Sequence, residues 1–286
     1  MSDRLTEVIG LLDLERIEID IFRGGQPASA RGRVFGGQVA AQALMAASLT
    51  VESGAVHSLH SYFLRAGDPT IPIVYEVDRV RDGRSFSTRR VVAIQHGEAI
   101  FNLQASFHGE EEGFAHQDRA PEVPDPESLP TSAEWAQEHP EHASSFSFIE
   151  TWPVDLRFVT EPPYIRRPGR KAEQIVWMRA NADLGEDVAM HRCMLAYVSD
   201  MILLSTQSLP HGTYHTGEVM TTSIDHIVWF HRPHRMDEWT LYSMRSPSAS
   251  GARGFMTATM YSRSGDLVAS VAQEGLMRSL AARDDG

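Results

Sequence analysis

The sequence has a single cysteine, Cys193, among 286 residues. One thiol cannot close an internal disulfide, nor can it build a structural zinc site that needs two or more thiolates, so a reducing compartment is expected. Long apolar runs are also missing, and nothing approaches the roughly 18 residues that a membrane-spanning helix requires. The opening stretch MSDRLTEVIGLLDLERIEID carries charges throughout and lacks the apolar centre of a signal peptide. The ending Asp284-Asp285-Gly286 is not a peroxisomal address. A cytoplasmic protein with no membrane span is the expectation. Basic residues are scarce, with 26 Lys and Arg against 38 Asp and Glu and a formal net charge of −12. So acidic a chain repels polyanions on average, which argues against nucleic acid as a partner. What is present is ordinary: 42% hydrophobic and 22% charged residues exclude whole-chain disorder and supply a core. The length favours two domains.

Leu5, Val8, Ile9 and Leu12 recur at the spacing of a short amphipathic helix. Gly24-Gly25-Gln26-Pro27 then breaks the chain before VFGGQVAAQALMAASLTV (34–51), whose low charge around the whole circumference predicts a buried helix. Four strand-like segments follow: HSLHSYFLRAG, PIVYEVDRVRDG, FSTRRVVAIQHG and EAIFNLQASFHG, with Asp82-Gly83 and His96-Gly97 as hairpin turns. The first unit therefore reads as α+β over residues 1–108. Nine of the 15 prolines fall in 109–172, which predicts a linker without regular sheet. Its aromatics Trp135, Phe146, Phe148, Trp152 and Phe158 predict that it packs down on a domain. Residues 173–286 repeat the first pattern: the strand-like QIVWMRAN, a helix over 186–204, then TSIDHIVWFH, WTLYSMRSPS, GFMTATMYSRSG and LVASVAQEGLMR. Gly97-Glu98-Ala99-Ile100 lines up with Gly265-Asp266-Leu267-Val268, so each half is expected to be one helix wrapped by a curved antiparallel sheet.

The strings VFGGQVAAQAL, HSLHSYFLRAGD, VRDGRSFSTRRV, AYVSDMILL, SIDHIVWFHRP, SASGARGF and VASVAQEGLMR, in this order, resemble the acyl-CoA thioesterase II family of TesB type over Leu11 to Arg278. The resemblance implies a double hot-dog fold of the α+β class, with two units joined edge to edge. It implies an acyl-CoA substrate, no cofactor, and a homo-oligomer, dimer or tetramer. It places the catalytic groups on Asp200, Ser223 and Gln273. A carboxylate within reach of a water can accept its proton while an amide and a hydroxyl orient it, so no covalent acyl-enzyme is needed.

Asp200 also stands out without the resemblance. It sits in the last turns of an otherwise apolar helix, where burial and the helix dipole both oppose its ionisation and raise its pKa. A carboxylate bonded to the amides of the next loop is the other reading. Ser223 alone reads as a turn residue, and Gln273 alone as a strand residue facing solvent, with Glu274 as the fallback carboxylate. No G-x-S-x-G elbow occurs. His231 and His234, the pair that could be imagined as ligands, fall in strands and turns and not at the helical i, i+4 spacing of metal ligands, so no metal is expected, and His226 is placed beside the site as a supporting residue. The cations grouped as Arg232, Arg235, His231 and His234, or as Arg79, Arg81, Arg84, Arg89 and Arg90, are candidates for meeting the phosphates of CoA. Met190, Met194, Met201, Trp229 and Phe230 are candidates for the wall of an acyl tunnel. Gly36-Gly37 opens the first helix and offers backbone amides to a thioester oxygen. The first half has no carboxylate in its helix, and Ala105 falls near the position of Gln273, so one active site per chain is expected, in the second half. Two other classes remain: a hot-dog hydratase, which would need a histidine shortly after the aspartate, and a non-catalytic acyl-CoA binding protein.

Overall fold

The computed structural model describes residues 3–27 and 32–280, so the ending Asp284–Gly286 lies outside the described residues. Helix α1 (Asp3–Leu12) leads into strands β1 (Glu15–Glu18) and β2 (Ile21–Gly24). Helix α2 (Gly36–Ser48) follows, built of Ala, Gln, Leu and Met, which favour helix; every residue from Gly37 to Ala47 is buried. Strands β3 (Ala55–Phe63), β4 (Ile73–Asp82), β5 (Phe86–Gln95) and β6 (Glu98–His108) complete the first unit.

The proline-rich stretch holds two short helices, α3 (Ser132–Glu138) and α4 (Ala143–Ile149), and one strand, β7 (Val154–Phe158). Sheet therefore does enter this stretch, against the expectation. Strand β7 lies between Pro153 and Pro162, contains no proline, and occupies the sheet edge, where interrupted flanks are tolerated. Phe146 and Phe158 are buried, and Trp177 Nε1 donates to the Pro124 carbonyl at 3.0 Å, so the segment does pack on the second unit.

Strand β8 (Glu173–Ala180) precedes helix α5 (Val188–Ser199), whose first turn is capped by the Asp187 carboxylate accepting from the Ala189 amide at 2.9 Å. The expected helix over 186–204 stops earlier. The Ser199 carbonyl accepts from the buried Tyr242 hydroxyl at 2.8 Å, occupying an acceptor that a further helical turn would use. A short helix α6 (Ser205–Ser208) and strands β9 (Val219–Ser223), β10 (Asp225–Phe230), β11 (Thr240–Ser250), β12 (Arg253–Ser262) and β13 (Leu267–Ser279) follow.

Among the described residues the strands form one antiparallel sheet in the order β1-β2-β4-β5-β6-β3-β10-β13-β12-β11-β8-β7, with β9 added to β13. The order from β3 outward mirrors the order from β10 outward, which is the double hot-dog arrangement. The seam pairs Leu59 with Val228, and helices α2 and α5 pack on one another inside the curved sheet. A Cβ at Gly37 would stand 2.3 Å from the Tyr197 carbonyl oxygen, so only glycine lets the two helices approach this closely.

Candidate active site

Asp200 immediately follows α5 as its C-terminal cap and is 5% exposed. Its carboxylate is held by the other two expected residues. Gln273 Nε2 donates to Asp200 Oδ1 at 2.6 Å and to Ser223 Oγ at 2.8 Å, while Ser223 Oγ donates to the same Oδ1 at 3.1 Å. Alternation along β13 explains why Gln273 points inward while its neighbour does not. Glu274 lies on the other face, with its carboxylate 2.9 Å from Arg253 Nε, and is no alternative base. Ser223 ends β9 opposite Gly275, two residues beyond Gln273 on the paired strand. The three residues, distant in sequence, thus meet at one point.

Burial pushes the Asp200 carboxyl up to about 6, against the opposing hydrogen bonds from Gln273, Ser223 and the Gly37 backbone. The Gly37 contribution comes from the first half: the N-terminal turn of α2 abuts the C-terminal end of α5. A Cβ on Gly36 would meet Asp200 Oδ2 at 2.7 Å and the Phe63 ring at 2.9 Å, so Oδ2 faces the start of α2. Gln273 Oε1 is buried and has no protein partner.

His226 lies behind the site. It is fully buried, with Nε2 2.8 Å from Ser199 Oγ, and burial lowers its pKa to about 4, so it is neutral at pH 7. Ser199 is thereby fixed by both His226 and Tyr242, which anchors the chain next to Asp200.

Two openings flank the trio. A cleft of about 220 Å³ is lined by Arg33, Gly36, Phe63, Arg65 and Ser223. A larger cavity of about 530 Å³ has a mainly apolar wall that includes Phe35, Trp152, Tyr164, Tyr197 and Met201. Both share Arg33 and Val34. Of the expected tunnel wall only Met201 borders this cavity. Met194 is packed in the core, Met190 packs against that core, Trp229 faces out beside His60, and Phe230 lies beneath Arg192. The proline-rich stretch supplies Phe148 and Trp152 instead. The expected phosphate-binding arginines are partly engaged elsewhere. Arg89 is buried on Thr50 and Asp82, Arg79 is paired with Asp20, and Arg235 is held by Asp183, Glu186 and Asp237. Arg33 and Arg65 at the cleft were not singled out in the sequence, although Arg65 lies within the block HSYFLRAGD. Among the described residues no group of three His, Cys, Asp or Glu is arranged to hold a metal ion.

The first half has no such trio. Val56 pairs with Phe107 in the β3–β6 ladder as Ser223 pairs with Gly275, which places Ala105 where the second half has Gln273. Leu49 caps α2 where Asp200 caps α5.

The sequence profile of the acyl-CoA thioesterase family matches residues 144–276, and that of the acyl-CoA thioesterase N-terminal domain matches residues 25–108. Acyl-coenzyme A thioesterase 8 of Mus musculus is 40% identical over 95% of this chain and 88% of its own length. Acyl-CoA thioesterase 2 of Haemophilus influenzae is 39% identical over 97% of this chain and 99% of its own. The crystal structure of acyl-CoA thioesterase II TesB2 from Mycobacterium marinum superposes with a TM-score of 0.80 at 40% identity, covering 96% of this chain and 99% of that one. A protein of unknown function with a hot-dog fold from Alicyclobacillus acidocaldarius, at 21% identity and a TM-score of 0.77, shares the fold.

Proposed function

This chain belongs to the acyl-CoA thioesterase family and is an acyl-CoA thioester hydrolase, and from that premise we propose that Asp200, Ser223 and Gln273 activate the water that cleaves a fatty acyl-CoA. The observation that carries the reading is the division of labour on one carboxylate. Oδ1 is occupied by Gln273 and Ser223, which leaves Oδ2, facing the cleft residue Gly36, to receive a proton.

In the first step a water donates one hydrogen bond to Asp200 Oδ2 and the other to Gln273 Oε1, which otherwise lacks a partner. Its lone pair attacks the thioester carbon, a C–O bond forms, and the proton passes to Asp200. The carbonyl oxygen gains negative charge beside the start of α2, where the helix dipole favours an anion. In the second step the C–S bond breaks, and the thiolate of CoA takes the proton back from Asp200. A thiol ordinarily titrates near 8.5, so the leaving group needs little acid assistance. Ser223 serves as orienter and not as nucleophile, because its hydroxyl donates to a carboxylate that has Oδ2 left for the water.

The acyl chain occupies the apolar cavity of about 530 Å³, a volume within the ordinary range for small-molecule sites. Arg33 at the cleft meets a CoA phosphate, and Arg65, whose guanidinium is shared with Glu98, lies beside it, so the acidic balance of the chain is offset locally. The hydratase reading loses ground because Asp200-Met201-Ile202-Leu203-Leu204-Ser205 contains no histidine. The protein is further proposed to be cytoplasmic, as its lone thiol suggests, and to assemble as a homo-oligomer. The test is thiol release from a short and a long acyl-CoA, with a single turnover in ¹⁸O-labelled water. One labelled oxygen in the fatty acid and no covalent acyl-enzyme supports the mechanism; acylated Ser223 overturns it.

A further inference from the structure

The repeat creates a second cleft, which the trio does not serve. Its walls reproduce the first cleft bond for bond. Beyond β3, the Leu64 amide donates to the Ile100 carbonyl at 2.9 Å, and Arg65 Nη1 donates to the Ala99 carbonyl at 2.8 Å. Beyond β10, the His231 amide donates to the Val268 carbonyl at 2.8 Å, and Arg232 Nη1 donates to the Leu267 carbonyl at 2.7 Å. The first cleft opens at the start of α2, and the second opens at the start of α5 with a volume of about 590 Å³.

Where the first cleft is completed by Asp200, Ser223 and Gln273, the equivalent positions of the second are Leu49, Val56 and Ala105, so hydrolysis has no base there. What the second cleft has instead is Arg192. This side chain lines the cavity, is 8% exposed, and lies 5.0 Å over the Phe230 ring. Among the described residues its guanidinium makes no hydrogen bond and no ion pair, although five donors are available. The stem is buried while the guanidinium nitrogens reach the solvent of the cavity, where they are available to an anion, and two of the three carboxylates lining the cleft are turned to other partners. Glu186 is held by Arg235, Asp266 accepts from the Ser262 and Ser264 hydroxyls, and Glu238 is exposed. The remaining groups around Arg192 are His57, His191, His231, His234 and the second cation, Arg232.

We propose that this cleft is a non-catalytic binding site for a diphosphate group, carried by coenzyme A or by a free nucleoside diphosphate, and that Arg192 anchors the phosphate. The geometry of the anion site stands apart from the hydrolysis mechanism; only coenzyme A as a source rests on that reading.

Equilibrium dialysis of the whole protein against coenzyme A and, separately, ADP tests it. Wild type is expected to bind two coenzyme A molecules per chain, and Arg192→Met one, with kcat and KM for acyl-CoA unchanged. ADP binding that Arg192→Met reduces at least tenfold points to a nucleotide source, and coenzyme A binding alone points to the cofactor-derived one. If Arg192→Met fails to fold, Arg232→Gln at the same cleft is expected to weaken the second site at least fivefold without changing KM. The proposal is overturned if neither ligand shows Arg192-dependent binding, or if the second site persists in both variants. Should wild type hydrolyse no acyl-CoA while ADP binding still depends on Arg192, the catalytic reading fails and the anion site stands.

Discussion

Asp200→Asn keeps the side-chain shape and the Oδ1 acceptor for Gln273 and Ser223, but removes the proton-accepting oxygen facing Gly36. Loss of a positioned general base costs about 10²- to 10⁴-fold in rate, so kcat should fall by that amount while KM stays within about twofold. Wild type carries its own signature. A base titrating at about 6 is ionised in about one-tenth of the molecules at pH 5, so kcat/KM there should lie roughly tenfold below its neutral plateau. The same carboxyl links stability to pH. Moving it from 3.8 in the unfolded chain to about 6 in the fold corresponds to about 3 kcal/mol of preference for the protonated form. The folded state then binds more protons than the unfolded state between these values, and stability falls as pH rises through that window. Asparagine has nothing to titrate. Urea unfolding from pH 4 to 8 should therefore show Asp200→Asn gaining on wild type by up to about 3 kcal/mol, with the gain complete just above pH 6. Thiol release that is already at its plateau at pH 5, together with a stability gap that ignores pH, would refute the assignment of Asp200 as a buried base.

Gly36→Ala places a methyl 2.7 Å from Asp200 Oδ2 and 2.9 Å from the Phe63 ring, and displacing the carboxylate should lower kcat at least tenfold, read by steady-state thiol release. Tyr242→Phe leaves the Ser199 carbonyl without its 2.8 Å donor, so we expect a loss of about 1–2 kcal/mol in urea unfolding and a severalfold drop in kcat with KM unchanged. Met201→Trp narrows the apolar cavity, and the ratio of kcat/KM for long over short acyl-CoA should fall at least fivefold.

The helices and most strands were legible because their patterning is strong. An uncharged run such as 36–48 can only be a buried helix, and the β6 and β13 segments share a turn signal. Asp200 was legible as a carboxylate at the C-terminal end of an otherwise apolar helix. Ser223 and Gln273 were not legible from their own chemistry: a serine ending a strand and a glutamine within one are common, and what makes them special is the pairing of β9 with β13, which no local pattern announces. The arginines failed for a related reason. Arg89 and Arg235 resemble surface cations in sequence, yet the fold consumes their donors on Thr50, Asp82, Asp183, Glu186 and Asp237. Arg65 reaches the cleft because the loop after β3 is brought beside Ser223 from the other half, and it too is paired there, with Glu98. The edge strand β7 was hidden by its flanking prolines.

The expectation that the first half is only structural, or only lends a channel, understates its part. Asp200 ends α5, where the helix dipole disfavours an anion by about 0.3–1 kcal/mol, and burial adds to that penalty. Both push the carboxyl toward its neutral form. The bonds from Gln273 and Ser223 oppose this most strongly, and the Gly37 amide at the N-terminal turn of α2 adds to them. The balance lies near 6, where the group is ionised at neutral pH yet basic enough to take a proton from water. The end of α5 presents a carboxylate to the start of α2, whereas the end of α2 is capped by Leu49, which has no carboxylate to be tuned. On the proposed mechanism the asymmetry of the chain therefore resides in which helix end carries a carboxylate, and the site draws on both halves, Gly37 from one and Asp200, Ser223 and Gln273 from the other.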